Sequence, residues 1–165
     1  MSRTLSILVD NEPGVLTRVA GLVARRGFNI DSLAVGRTED PTRSRITLVV
    51  DADETAVEQV TKQLHKLVNV YKINDLTEEA HIDRELVLFK VNVDPAHRHE
   101  VIEICNVFRA NIVDVAPASL TVEATGTDDK LVAMEDMFRA YGIKEIVRVE
   151  PVLSPIDYDP ITAMR

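Results

Sequence analysis

Tryptophan is missing from this sequence, and aromatic residues of all kinds make up only 4% of it. The apolar fraction is nevertheless 45%, so a core can form and must be mainly aliphatic. Cysteine occurs once, at Cys105. No internal disulfide can form, and a reducing compartment is expected. Cys105 sits in an apolar helical pattern, where a small buried hydrophobe is expected rather than a nucleophile. Positive charge is also scarce: 19 Lys and Arg face 27 Asp and Glu, for a net charge of -8. That balance speaks against a nucleic-acid surface, and the nearest basic group, Arg43 and Arg45, is a short loop pair. No apolar run approaches the roughly 20 residues of a membrane span. Met1-Ser2-Arg3-Thr4 leads straight into an alternating strand, with no signal-peptide pattern. A soluble, cytoplasmic protein without membrane or nucleic-acid partners is the expectation.

Catalytic constellations are missing as well. The four histidines are scattered: His65 at a helix end, His81 in a polar segment, His97 and His99 around Arg98 at a helix start. No nucleophile–base or acid–base pair emerges, so an enzyme is not expected. His97, His99 and Cys105 could be read as transition-metal ligands of a metal-sensing regulator. Positions 97 and 99 do not share a helix face, however, and Cys105 should point inward. No metal is expected in this chain.

What the sequence does contain is organised around Val9-Asp10-Asn11-Glu12-Pro13-Gly14-Val15-Leu16. An apolar run, Leu5 to Val9, ends there and a helical pattern begins. Asp10 and Asn11 are turn and N-cap residues, and Gly14 leaves backbone uncovered where the helix opens. Bare N–H groups at a helix start suit an anion. No Lys or Arg lies between Asp10 and Thr17, so an amino-acid carboxylate fits better than a polyphosphate. Taken alone, the stretch also reads as an ordinary strand–turn–helix connection.

Taken in order, Leu5, Ile7 and Val9 alternate as a strand. Val15, Leu16, Val19, Leu22 and Val23 follow helical spacing, with Arg25 and Arg26 in the last turn and Gly27 as the stop. A second strand starts at Phe28-Asn29-Ile30 and runs through Leu33 and Val35. Glu39 to Ser44 reads as a hairpin loop, and Ile46, Leu48 and Val50 alternate in a third strand. A helix from Asp53-Glu54 shows Val57, Val60, Leu64 and Leu67 on one face. Val70, Tyr71 and Ile73 make a fourth strand. Thr77 to Asp83 is polar and reads as a linker.

The order then repeats. Glu85–Val93 is a strand and Glu100–Ala110 a helix facing inward with Val101, Ile104, Cys105 and Phe108. Asn111–Val115 and Ser119–Thr125 are strands. Asp128–Tyr141 is a helix bearing Leu131, Met134, Met137 and Phe138, and Glu145–Val149 is a last strand. The fold class is α+β: two tandem ferredoxin-like βαββαβ units. The expected boundaries are 1–76 for the first domain, 77–83 for the linker and 84–165 for the second domain with an extended tail. The sheet of the first unit should keep one face and its edges uncovered, so pairing with a second copy is expected. Where the first unit has Asn11-Glu12-Pro13-Gly14, the second has Asp94-Pro95-Ala96-His97, without glycine.

Asp10 to Leu16, Arg26-Gly27-Phe28-Asn29-Ile30-Asp31-Ser32-Leu33, Asp40-Pro41-Thr42-Arg43-Ser44-Arg45 and Lys62 to Val68 together resemble the small, regulatory subunits of acetolactate (acetohydroxyacid) synthase. The resemblance continues through Arg84-Glu85-Leu86 and Asn111-Ile112-Val113-Asp114-Val115. It makes the first unit similar to an ACT domain and the second ACT-like. It implies a non-catalytic subunit of branched-chain amino-acid biosynthesis. Such a subunit binds and activates a large catalytic subunit that uses thiamine diphosphate, magnesium and FAD, and confers feedback inhibition by valine. It also implies a homodimer through the ACT domains, with valine held between two copies. One copy would supply Asn11, Gly14, Val15 and Leu16, and the other Asn29 and Ile30.

The chemistry of those residues is compatible. Backbone N–H groups near Gly14 can hold a carboxylate, and the Asn11 and Asn29 amides suit a zwitterion. Leu16 or Ile30 can line a pocket for a branched side chain. Each also has a plain role: Asn11 as helix cap, Gly14 in tight packing, Asn29 as turn residue, Ile30 as core. An ACT-domain sensor for serine, phenylalanine or glycine in another pathway is the remaining alternative.

Overall fold

The computed structural model describes residues 2–149 and 152–153, and these form two compact units, 2–82 together with 152–153, and 83–149, so that Val152 and Leu153 group with the first unit and not with the second as expected. The first unit runs β1 (Ser2–Asp10), α1 (Val15–Arg25), β2 (Asn29–Arg37), β3 (Arg43–Asp51), α2 (Glu54–Leu64) and β4 (Val70–Asp75). Its sheet has the order β2-β3-β1-β4, with antiparallel neighbours throughout. This is the βαββαβ arrangement the residue pattern predicts.

Period-two alternation places Leu5, Ile7 and Val9 on one face of β1. Register sets Leu5 opposite Leu48 and Ile7 opposite Ile46, and Val19, Val23, Val57, Val60 and Leu64 of the helices close over them in one buried cluster. Gly27, at φ 76°, takes the left-handed turn that ends α1. Asp53 caps α2, its carboxylate accepting from the Ala56 N–H at 2.8 Å. That helix stops at Leu64, three residues before Leu67.

The other face of β1 and β3 is not open. Ser6, Leu8, Thr47 and Val49, which point away from the helices, are all buried. The expectation of an uncovered face therefore fails for the two central strands of the first unit. It holds for the edge: Leu33 and Val35 on β2 are 42% and 47% exposed.

Within 77–83 the last two residues form β5 (Ile82–Asp83). The second unit then runs β6 (Glu85–Asn92), α3 (Arg98–Phe108), β7 (Asn111–Ala116), β8 (Ser119–Gly126), α4 (Asp128–Arg139) and β9 (Ile143–Val149), in sheet order β7-β8-β6-β9. Its core is Val87, Phe89 and Val91 against Val101, Cys105, Leu131, Met134 and Phe138. Phe89 and Phe138 meet edge to face at 5.3 Å, a favoured aromatic geometry. Met137, expected on the buried face of α4, is instead half exposed. It flanks the stripe made by Leu131, Met134 and Phe138. Leu88, Val147 and Val149 on the far sheet face are exposed. A short strand, β10 (Val152–Leu153), pairs with β5. The rest of the expected tail lies outside the described residues.

Candidate functional site

β1 ends at Asp10 and α1 begins at Val15, with Gly14 as its N-cap at φ 85°, ψ -11°. An L side chain rarely adopts that left-handed backbone, so glycine is required by the turn itself. A Cβ built on Gly14 would have no heavy atom within 4 Å. The glycine is therefore not there for internal packing; it faces open space. No side chain caps the helix. Leu16 and Thr17, in the first helical turn, have no intrahelical acceptor for their N–H groups.

Asn11 does not act as the cap. Its backbone N–H donates to the Thr42 carbonyl at 2.8 Å, and its side-chain amide to the Pro41 carbonyl at 3.0 Å. These bonds tie the turn to the β2–β3 hairpin and engage one of the two amide N–H groups. Asn29 behaves alike: its amide donates to the Asp31 carboxylate at 2.6 Å. Val15 is buried in the core, so its side chain cannot reach a ligand at the turn and only its backbone is available. Leu16 is 40% exposed beside the turn. Ile30 is partly buried against the core.

Asn11, Gly14, Val15 and Leu16 thus share one turn, but Asn29 and Ile30 do not join them within one chain. Asn29 pairs with Asp51, at one end of β3, whereas Asp10 pairs with Arg43 at the other. Eight residue steps separate Arg43 from Asp51, which is about 26 Å of strand.

The residues that brace the turn carried no signal in the sequence. Asp10 accepts from the Tyr71 hydroxyl through Oδ1 and from the Asn69 amide at 2.9 Å through Oδ2. The Asp10 N–H donates to the Asn69 carbonyl at 2.9 Å. Arg18, on α1, donates to Asn69 Oδ1 at 3.0 Å. The Arg43 guanidinium lies 4.3 Å over the Tyr71 ring, a cation–π contact. The hydrogen bond from Tyr71, then that from Asn69, holds the Asp10 carboxyl below the usual carboxylate range. The same bond pushes the Tyr71 phenol up.

The other sequence candidates separate. The His97 ring bonds Asp94 at 2.8 Å, which raises its pKa. Cys105 is buried, and burial pushes its thiol up. Among the described residues, no group of three or more His, Cys, Asp or Glu is placed to hold a metal ion. No helix among them is long and apolar enough to cross a membrane.

Two ferredoxin-like units, the first opening its leading helix on a left-handed glycine, place the chain in the ACT class of folds. The AHAS small subunit-like ACT domain model matches residues 5–72, and the model for the small subunit of acetolactate synthase matches 84–149. An acetolactate synthase small subunit of Mycobacterium bovis is 55% identical over 147 residues, covering 89% of this chain and 88% of that one. A probable acetolactate synthase small subunit of Archaeoglobus fulgidus is 51% identical over 152 residues, covering 92% and 95%. The crystal structure of the Thermotoga maritima small subunit superposes with a TM-score of 0.85 at 35% identity, covering 96% of this chain and 99% of that one. The chain belongs to the acetolactate synthase small-subunit family, a family of regulatory subunits.

Proposed function

We propose that this chain binds and activates the catalytic large subunit of acetolactate synthase and makes it sensitive to valine, as a feedback device of branched-chain amino-acid biosynthesis. Thiamine diphosphate, magnesium and FAD belong to that catalytic partner, which performs the transferase chemistry in the cytoplasm. This chain supplies no catalytic group. Family membership favours this reading over an amino-acid sensor of another pathway. Residues 1–76 form the effector-binding, dimerising domain, 77–83 the linker, and 84 onward the second domain.

The observation that carries the effector site is Gly14: a left-handed glycine at a helix start, whose open side has no heavy atom of the described residues within 4 Å, its chain neighbours aside. Helix-start N–H groups take the valine carboxylate. The Asn11 and Asn29 Oδ1 atoms take its ammonium, and Leu16 and Ile30 flank its branched side chain. The turn and the β2 start lie at opposite ends of one sheet, so one copy cannot complete the site. Two copies pairing antiparallel along their β2 edges would bring the turn of one to the strand start of the other. The exposed Leu33, Val35 and Leu16 supply apolar area for that contact.

Reconstitution with the catalytic subunit tests the reading. Activity should rise when this chain is added and fall when valine is titrated in. A chain that leaves the synthase unchanged with and without valine would refute it.

A further inference from the structure

The effector turn is braced by side chains that have no reason to touch an effector. Asp10, the last residue of β1, is gripped from β4 by Tyr71 and from the preceding loop by Asn69, and Asn69 is in turn held by Arg18 of α1. We propose that Tyr71, acting through Asp10, positions the Asn11–Gly14 turn for amino-acid binding. The proposal rests on the effector reading of that turn.

Backbone register explains why Tyr71 can reach. Along β1 and β4, Leu8 pairs with Lys72 and Val9 with Val70. The shift leaves Tyr71 as the extra residue of a β-bulge, a device that re-aims one side chain out of the ladder. Its hydroxyl meets Asp10, and Arg43, the cross-strand partner of Asp10, covers its ring.

The second unit serves as an internal control. There, Lys90 pairs with Glu145 and Val91 with Ile143, so the same bulge occurs and Lys144 is its extra residue. The Asn92 N–H donates to the Gly142 carbonyl at 2.8 Å, and the Val93 N–H to the Ala118 carbonyl at 3.0 Å. These reproduce the bonds from Asp10 to Asn69 and from Asn11 to Thr42. The backbone skeleton is therefore common to the two units. The residues at the bracing positions are not: Asn92, Gly142 and Lys144 stand where Asp10, Asn69 and Tyr71 stand, and none of them is a carboxylate. The fold closes without the charged brace. The brace occurs in the unit whose turn carries Gly14.

The test compares the full-length wild-type chain with Tyr71→Phe, Asp10→Asn and the double variant. Amide hydrogen exchange is read over residues 11–17 without ligand, and valine affinity by calorimetry. Tyr71→Phe should speed exchange in that window and weaken valine binding by roughly threefold to tenfold, the value of a charge-assisted hydrogen bond discounted for exposure. The double variant should lose less than the sum of the two single losses, because Asp10→Asn removes the charge of the acceptor whose donor Tyr71→Phe removes. Asp10→Asn, which keeps size and shape, carries the test if Tyr71→Phe does not fold. Unchanged exchange in a folded variant overturns the proposal. So does faster exchange with unchanged affinity. Weaker binding with unchanged exchange also overturns it, since Tyr71 would then touch the amino acid directly. If the wild-type chain binds no valine, the effector reading fails, and exchange alone decides whether Tyr71 holds the turn.

Discussion

Gly14→Asp places a carboxylate where an effector carboxylate is expected. The structure separates its two consequences. No neighbour lies within 4 Å of the added Cβ, so no clash destabilises the fold. The left-handed φ of 85° costs an L residue about 1–2 kcal/mol, and Asp tolerates that region better than most. The binding penalty is electrostatic. Two unit charges about 5 Å apart repel by about 3 kcal/mol at an effective dielectric constant near 20, and by about 0.8 kcal/mol in water. Valine affinity should therefore fall roughly fourfold to 200-fold. Gly14→Asn isolates the charge, because it has the same size and also tolerates the left-handed backbone. The gap between Asp and Asn should shrink in about 1 M salt, where screening acts within about 3 Å. Valine can inhibit only by binding two states of the complex unequally, so weaker binding must shift the inhibition curve by a matching factor. The assay is valine titration of the reconstituted synthase. A folded Gly14→Asp chain inhibited at wild-type valine concentration would put the effector site elsewhere. Equal defects in Asp and Asn would show that volume, not charge, is decisive.

Three further outcomes follow from the structure. Val35→Lys on the exposed β2 edge should give a folded monomer in sedimentation with weakened valine binding; a persistent dimer would exclude pairing along that edge. Phe138→Ala removes a fully buried ring packed on Phe89 and should cost about 3–5 kcal/mol in urea unfolding of the second unit; a loss under about 1 kcal/mol would contradict the packing. Burial is the main cause that raises the Glu85 carboxyl above the ordinary glutamate range, against the lowering effect of Arg148. A raised folded pKa contributes stability that is complete below about 4.5 and is lost as pH climbs through the folded value. Stability measured from pH 4 upward should therefore show this loss in wild type and not in Glu85→Gln; identical profiles would remove Glu85 as its source.

Element order was legible because the core is aliphatic and strictly periodic. Leu5-Ile7-Val9 and Val57-Val60-Leu64 announce their buried faces without help from tertiary structure. What stayed hidden depends on hydrogen bonding and on distance along the chain. Leu67 continues the apolar spacing of α2, yet the helix stops at Leu64, because periodicity reports a face and not an end. Asn11 has the residue type of a cap, but its amide is taken by Pro41 thirty residues away. Ser6 and Thr47 read as solvent-facing by alternation and are buried. The Asp10–Tyr71 link depends on a one-residue register shift between strands some 60 residues apart. No local pattern encodes such a shift.

The two units of the repeat differ at the start of their leading helices. Matched by their common backbone bonds, Asn11 corresponds to Val93, Pro13 to Pro95 and Gly14 to Ala96. That is one residue off the pairing of Asn11 with Asp94 read from the sequence. Val93 is buried and offers no amide to an ammonium. Among the described residues, positive φ outside glycine occurs only at Arg109, so Ala96 does not reproduce the left-handed start of α1. The N-cap of α3 is His97, and its N–H and ring are both engaged by the Asp94 carboxylate. An incoming carboxylate would have to displace an aspartate already seated at that helix start, and it would meet like charge while doing so. At the same place in the first unit no side chain caps the helix, and the Asp10 carboxylate is bonded by Tyr71 and Asn69. One skeleton thus carries a helix start without a side-chain cap in the first unit and one occupied by the Asp94 carboxylate in the second.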